Sequence, residues 1–377
     1  MWPKERACSA RLCPLLLLVC WLSGPLADGD AKNEGAQPFR LVKLDSGLVR
    51  GRRLRTNATV DGLTFLGVPY AEPPVGRLRF ARTRPKRPWS GVHDATRWPN
   101  ECQQYQDSQP APGAKAPSED CLYANVFTTE RCVQSSGKCP VLFYVYGGGW
   151  VGGGAQQLGD ASFVDAFASQ GIVAVNFHYR LDVFAFFYTG DSNVDSNFAI
   201  WDAIEGLKWI QKEIHHFGGD ANKVTVMGHS SGGDGADILS LIPATEGLMH
   251  QLLTVSGLAS VPPADPKTLA RASRDFAIEM GCTSLADWNN LGTKWKLSVL
   301  ECLRTFPSFE LAQKASNYSA KGFHSHSGTP FEGPVNDGVL IPDEPVKLAL
   351  NRRPYPFLTD ILAESLDSVA NTMKTEA

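Results

Sequence analysis

Apolar and polar positions change their period several times along this 377-residue chain, and each change predicts an element. From Phe39 to about Arg55 the two classes alternate, and Asp45-Ser46-Gly47 interrupts them, which predicts an N-terminal hairpin turning at that triplet. Phe65-Leu66-Gly67-Val68-Pro69-Tyr70 then leads into Ala71-Glu72-Pro73-Pro74-Val75-Gly76, where adjacent prolines fix a loop rather than a strand. Cys121 to Phe127, Val141 to Tyr146 and Ile172 to Phe177 read as buried strands. Between Ala199 and Phe217 the period becomes helical, with Ile200, Ile204, Leu207, Ile210, Ile214 and Phe217 on one face. Val224-Thr225-Val226 and Leu252 to Val255 are further strands. From Ala264 the pattern is helical and polar, through Leu269–Met280 and Trp288–Phe306. Strands alternating with helices predict an α/β fold with a mostly parallel central sheet flanked by helices. The helical region belongs to that fold and is not a separate linked domain.

Composition narrows the setting. With 43% hydrophobic residues the chain can bury a large core. A net charge of −3 and a pI near 6.3 do not suggest a nucleic-acid partner. Basic residues cluster from Arg77 to Arg87, but Pro85, Pro88 and Trp89 break that run into an ordinary solvated segment. At the N-terminus, Lys4, Arg6 and Arg11 precede an apolar run from Leu12 to Leu22, followed by Ser23, Gly24 and Ala27. This is the pattern of a secretory signal, residues 1–27, and the run is too short for an ordinary membrane span. The mature chain, residues 28–377, is therefore expected to be secreted or lumenal, with no membrane span.

Three of the nine cysteines fall in that signal, and six remain: Cys102, Cys121, Cys132, Cys139, Cys282 and Cys302. An even number in an oxidising compartment predicts disulfides, although sequence alone leaves the pairing open. Local closure favours Cys102–Cys121, Cys132–Cys139 and Cys282–Cys302, because each pair brackets one polar loop. Residues 107–117, rich in Pro, Ala and Gln, form the first of these loops. No C-x-x-C and no Cys/His cluster points to a metal. Asn57-Ala58-Thr59 and Asn317-Tyr318-Ser319 are glycosylation sequons.

The candidate chemistry centres on Phe217–Gly233, FGGDANKVTVMGHSSGG. Gly228-His229-Ser230-Ser231-Gly232 fits G-x-S-x-G, the elbow that exposes a serine hydroxyl on a tight strand-to-helix turn. Ser230 is the candidate nucleophile for acyl transfer, and the N–H of Ser231 is one candidate donor to an oxyanion. Gly148 and Gly149, in a glycine-rich loop after an earlier strand, are placed to supply the others. No phosphate-loop pattern is present, and no cofactor is implied.

These stretches occur together with others: FLGVPYAEPPVGRLRF, PWSG, SEDCLYANVF, YVYGGGWVGG, His178-Tyr179-Arg180, and Val255-Ser256-Gly257. In that order, from about Phe39 to Pro342, the chain resembles type-B carboxylesterases of the cholinesterase/carboxylesterase superfamily, which are α/β-hydrolases. The resemblance implies hydrolysis of a small carboxylic ester through an acyl-serine, with Gly148, Gly149 and Ser231 as the oxyanion hole. It also implies the Cys102–Cys121 and Cys282–Cys302 bridges; Cys132–Cys139 rests on proximity alone.

The chain departs from the family in three places. Pro334-Val335-Asn336-Asp337-Gly338 resembles the family's P-V-x-D-G, and ungapped extension from it lays Glu364 on the catalytic acid, but with Ala363 and Ser365 where the family has Asp and Gly. All eight histidines precede Glu364, whereas the family order is Ser, Glu, His. The base is thus expected to be missing from a chain incomplete at its C-terminus. His229 replaces the Glu that precedes the nucleophile in cholinesterases, and residues 103–120 contain no Trp, so choline esters are not expected. The alternative expectation is a non-catalytic cholinesterase-like binding or adhesion protein on the same fold. Oligomeric state is not legible.

Overall fold

The N-terminal alternation forms β1 (Phe39–Lys43) and β2 (Leu48–Arg55), which pair antiparallel with Lys43 opposite Leu48. Asp45-Ser46-Gly47 closes the hairpin, and Leu44 N donates to Gly47 O at 2.8 Å. The structure is a computed structural model. It describes residues 39–56, 61–105, 115–258, 264–290, 292–317, 330–331, 333–351 and 357–360. The segment expected to be a signal (1–27), Asn57, the 106–114 part of the first polar loop, His324, His326 and Glu364 lie outside the described residues.

The remaining strands are β3 (Asp61–Pro69), β4 (Val92–Asp94), β5 (Tyr123–Thr129), β6 (Cys139–Val145), β7 (Val173–Phe177), β8 (Gly219–His229), β9 (Gln251–Val255) and β10 (Phe357–Asp360). Among the described residues they form one ten-stranded sheet in the order β1-β2-β3-β5-β7-β6-β8-β9-β10, with β4 on β2. The sheet is mixed. Pairs from β1 to β7 along that order are antiparallel, and the β7-β6-β8-β9-β10 half is parallel. In the parallel half, Val173 to Phe177 of β7 is wholly buried, as a strand covered on both faces requires.

The helices, in chain order, are α1 (Glu130–Gln134), α2 (Gly159–Ala166), α3 (Val183–Phe186), α4 (Phe198–Glu213), α5 (Ser231–Leu241), α6 (Pro266–Glu279), α7 (Leu285–Asn290), α8 (Thr293–Arg304), α9 (Ser308–Asn317) and α10 (Pro345–Leu350). The predicted helix Ala199–Phe217 is α4 followed by a tighter 3₁₀ turn, Ile214–Phe217, which ends at Gly218 in the left-handed conformation. The predicted Trp288–Phe306 helix is divided, with α7 ending at Asn290 and α8 starting at Thr293 after Gly292.

Buried polar groups fix how helices meet the sheet. Arg180, just past β7, gives Nε and Nη2 to the two carboxylate oxygens of Asp202 on α4, at 2.8 and 2.7 Å. Both side chains are almost fully buried. Asn197, before α4, donates to Val335 O and Asp337 Oδ2, and its Oδ1 accepts the N–H of Val335. Asp337 Oδ1 in turn accepts N–H bonds from Val339, Leu340 and Ile341. The Pro334–Gly338 segment is thereby anchored to the start of α4. The structure forms Cys102–Cys121, Cys132–Cys139 and Cys282–Cys302.

Candidate active site

At the carboxyl end of the parallel strands, β8 stops at His229 and α5 begins at Ser231. Ser230 between them has φ 54° and ψ −131°, a region that L-residues with side chains rarely occupy. The conformation is over-determined by its surroundings. Ser230 N donates to Val255 O at 2.8 Å, and Ser230 O accepts N–H bonds from Gly233 (2.7 Å) and Asp234 (3.2 Å). Val255 at the end of β9 and the first turn of α5 therefore clamp the serine from both sides.

The glycines of the motif are required by close approach. A Cβ on Gly228 would lie 2.0 Å from Gly232 O, and one on Gly232 would lie 2.2 Å from Val145 O on β6. The same contact brings the glycine-rich loop after β6 against the elbow: a Cβ on Gly147 would sit 2.8 Å from Ser230 Cβ. Gly148 and Gly149 follow at φ 138° and φ 61°, and Gly148 O accepts N–H bonds from Val151 and Gly152. Ser231 is buried and opens α5, where a helix's first N–H groups have no intrahelical acceptor. Ser230, Ser231 and the Gly147–Gly149 loop are thus brought together. Glu364 lies outside the described residues.

Two aromatic groups near the glycine loop in sequence belong to the core. Trp150 is buried and packs edge-on against Tyr179 and Phe186, and its ring also fills the space a side chain at Gly235 would need. Phe184, Phe186, Phe187 and Tyr188 are buried as well.

Support for the glycine loop comes from residues that carry no motif. Gln104, beside Cys102, accepts from Gly153 N through Oε1 (2.9 Å) and donates to Gly153 O through Nε2 (2.9 Å). Gln156 bonds Glu101 through its amide nitrogen and His178 Nε2 through its oxygen (2.8 Å). The first disulfide loop and the glycine loop are therefore one hydrogen-bonded unit. A lone Gln has many uses, so no sequence signal identifies these two.

The described histidines are engaged elsewhere. His178 is fully buried, and desolvation pulls its pKa down to about 3, so its ring is held neutral. His93 Nε2 contacts Gly67 O, His216 Nε2 contacts Asp45 Oδ1, and His250 Nδ1 accepts from Val224 N. His215 packs at a tilt against His216, and partial burial depresses the basicity of His229. Among the described residues, no hydrogen bond joins a histidine to Ser230. Asp45, Glu213 and His216 lie close enough to share a cation, but Glu213 already holds the N–H groups of Asp45 and Ser46 and closes the β1–β2 turn.

One titratable group stands out beside the elbow. Asp234, one turn along α5 from Ser230, is largely buried, and desolvation is the main reason its pKa rises to about 7. Its Oδ1 and the Ser231 hydroxyl are both buried without a hydrogen-bond partner among the described residues.

The sequence model of the carboxylesterase family matches residues 38–376. Carboxylesterase 1E of Rattus norvegicus is 30% identical over 367 residues, covering 90% of this chain and 62% of that protein. Carboxylesterase 5A of Homo sapiens is 31% identical over 371 residues, 92% of this chain and 57% of that protein. Liver carboxylesterase 1 of Oryctolagus cuniculus is 32% identical over 324 residues, 81% of this chain and 55% of that protein. The chain thus spans 55 to 62% of the length of these relatives.

Proposed function

Because the chain belongs to the carboxylesterase family, we propose that the protein is a secreted carboxylic ester hydrolase working through an acyl-Ser230 intermediate. Ser230 Oγ attacks the ester carbonyl carbon while a base takes the hydroxyl proton. Charge on the carbonyl oxygen is met by the N–H groups of Ser231, Gly148 and Gly149. Collapse expels the alcohol, which takes up the proton, and water then hydrolyses the acyl-serine by the same steps. Glu364 would be the acid that orients the base, a histidine that by the family order Ser, Glu, His follows it and that residues 1–377 do not carry. No metal or other cofactor is needed for these steps.

The observation that carries this reading is the clamped turn at Ser230, with the glycine loop against it. A strained, glycine-lined serine is maintained at a cost in stability, which a purely structural turn would not require. Support for secretion comes from the N-terminal signal pattern together with three disulfides, and Asn57 and exposed Asn317 are the glycosylation positions. The test is turnover of 4-nitrophenyl butyrate. Protein that carries this base should hydrolyse it and its Ser230→Ala variant should fall to background, since losing a triad member lowers kcat by about 10⁴-fold or more. Equal rates for the two would refute the assignment.

A second reading, a non-catalytic binding or adhesion protein on this fold, is favoured by the lack of any histidine bonded to Ser230 among the described residues. It predicts a soluble, folded chain with no Ser230-dependent turnover.

A further inference from the structure

Away from Ser230, a groove of about 340 Å³ opens between the Pro69–Pro73 loop, the Lys86–His93 segment and the start of β5. It lies at the same end of the sheet as the elbow, three strands away, since β5, β7, β6 and β8 follow one another and β5 runs antiparallel to the other three. Its volume is in the range of small-molecule sites.

Three aromatic rings line it, and each is held at its polar atom. Trp89 Nε1 donates to Leu48 O at 3.3 Å, His93 Nε2 contacts Gly67 O at 2.8 Å, and Tyr123 OH donates to Asp120 Oδ1 at 2.9 Å. The rings are arranged in sequence, His93 lying 5.9 Å from Trp89 and 6.5 Å from Tyr123 between centroids. With Trp89 Nε1, His93 Nε2 and the Tyr123 hydroxyl engaged, what the three side chains chiefly offer the groove is ring surface.

Charge in the groove is uneven. Asp120 is exposed, and its Oδ2 takes no hydrogen bond from the described residues. Burial first, and then the Asp120 carboxylate, push the Tyr123 phenol up, so the negative field of Asp120 reaches the wall. Lys86, the one cation among the lining residues, is paired with Glu72 at 3.5 Å. Ring faces beside an unneutralised carboxylate favour a positive, weakly hydrated group, because ring quadrupole and carboxylate both attract it.

We propose that the groove bounded by Trp89, His93, Tyr123 and Asp120 binds an organic cation, an alkylammonium or guanidinium group. The group comes either from a small free amine or from a basic side chain of a peptide. The site is independent of ester hydrolysis and of Ser230.

The test is an NMR titration of the full chain, read at the Trp89 indole N–H, assigned by its loss in Trp89→Phe. The probes are tetramethylammonium, N-acetylarginine amide, and 3,3-dimethylbutan-1-ol as a neutral control. At least one cation should bind about fivefold more tightly than the alcohol. Asp120→Asn should weaken it by a similar factor and Lys86→Met should tighten it, opposite shifts that a purely structural role for these surface residues would not give. Preference for tetramethylammonium marks a free amine, and preference for the arginine amide marks a peptide side chain. Equal binding of the alcohol, or cation binding unchanged in both variants, would overturn the proposal.

Discussion

Gly228 and Gly232 face each other so closely that a Cβ on the first would lie 2.0 Å from the carbonyl oxygen of the second. No side-chain rotation relieves that contact, because both partners are backbone. Gly228→Ala is expected to destabilise the fold by at least about 3 kcal/mol. Chemical denaturation compared with wild type checks this. A loss below about 1 kcal/mol would mean the turn can relax.

Ser230 itself stores strain. At φ 54° and ψ −131°, glycine is at ease where serine is not. Ser230→Gly should therefore be more stable than Ser230→Ala by about 1 kcal/mol, even after the entropy glycine loses on folding. Paired melting curves decide it, and the reverse order would show that the turn is unstrained.

Two buried groups give stability opposite pH dependences. His178, held neutral with its pKa near 3, refuses a proton that the unfolded chain accepts near 6.5. Its contribution is complete above pH 6.5 and falls toward pH 3, by up to about 1.4 kcal/mol per unit. Asp234, with its pKa raised to about 7, keeps a proton that the unfolded chain has lost near 3.8. Its contribution is complete below pH 3.8 and is lost as pH rises to 7. Urea denaturation from pH 4 to 8 should show a shallower rise with pH for His178→Gln and a gain above pH 7 for Asp234→Asn. Parallel curves for wild type and both variants would contradict this.

Buried Asp202 accepts two charge-assisted bonds from the Arg180 guanidinium, a third bond from the Arg180 backbone N–H and a fourth from the Thr83 hydroxyl. Asp202→Ala leaves a buried guanidinium unpaired and is expected to cost about 3 to 5 kcal/mol. Replacing both partners by apolar residues, Arg180→Met with Asp202→Leu, should recover most of that loss. Thermal denaturation of the two variants separates the outcomes.

The elbow was legible because strand, tight turn and helix start each leave a residue-type mark: Val224 to Val226, then Gly228 and Gly232 around Ser230. The disulfides were legible for a similar reason, each pair bracketing one loop. Boundaries were less so. The 3₁₀ turn at Ile214–Phe217 keeps the helical apolar face, so periodicity extended the helix through it. The parallel β7-β6-β8-β9-β10 half follows from strands alternating with helices, but the antiparallel pairing from β1 to β7 does not, because direction depends on connections that hydrophobic pattern does not encode. Buried Asp202, Glu213 and Asn125 carry no sequence mark of burial; their partners Arg180, the Ser46 N–H and Gly67 N–H come from distant segments. Asp234 likewise gains its raised pKa from packing alone.

The account turns on whether Ser230 is an activated nucleophile. Incubation of protein that carries the histidine base with a fluorophosphonate, followed by intact-mass and peptide mass spectrometry, measures this directly. The account predicts one phosphonyl adduct per chain, located on the Ser230 peptide and absent from Ser230→Ala. Folded protein that stays unlabelled, or labels equally in Ser230→Ala, would contradict it.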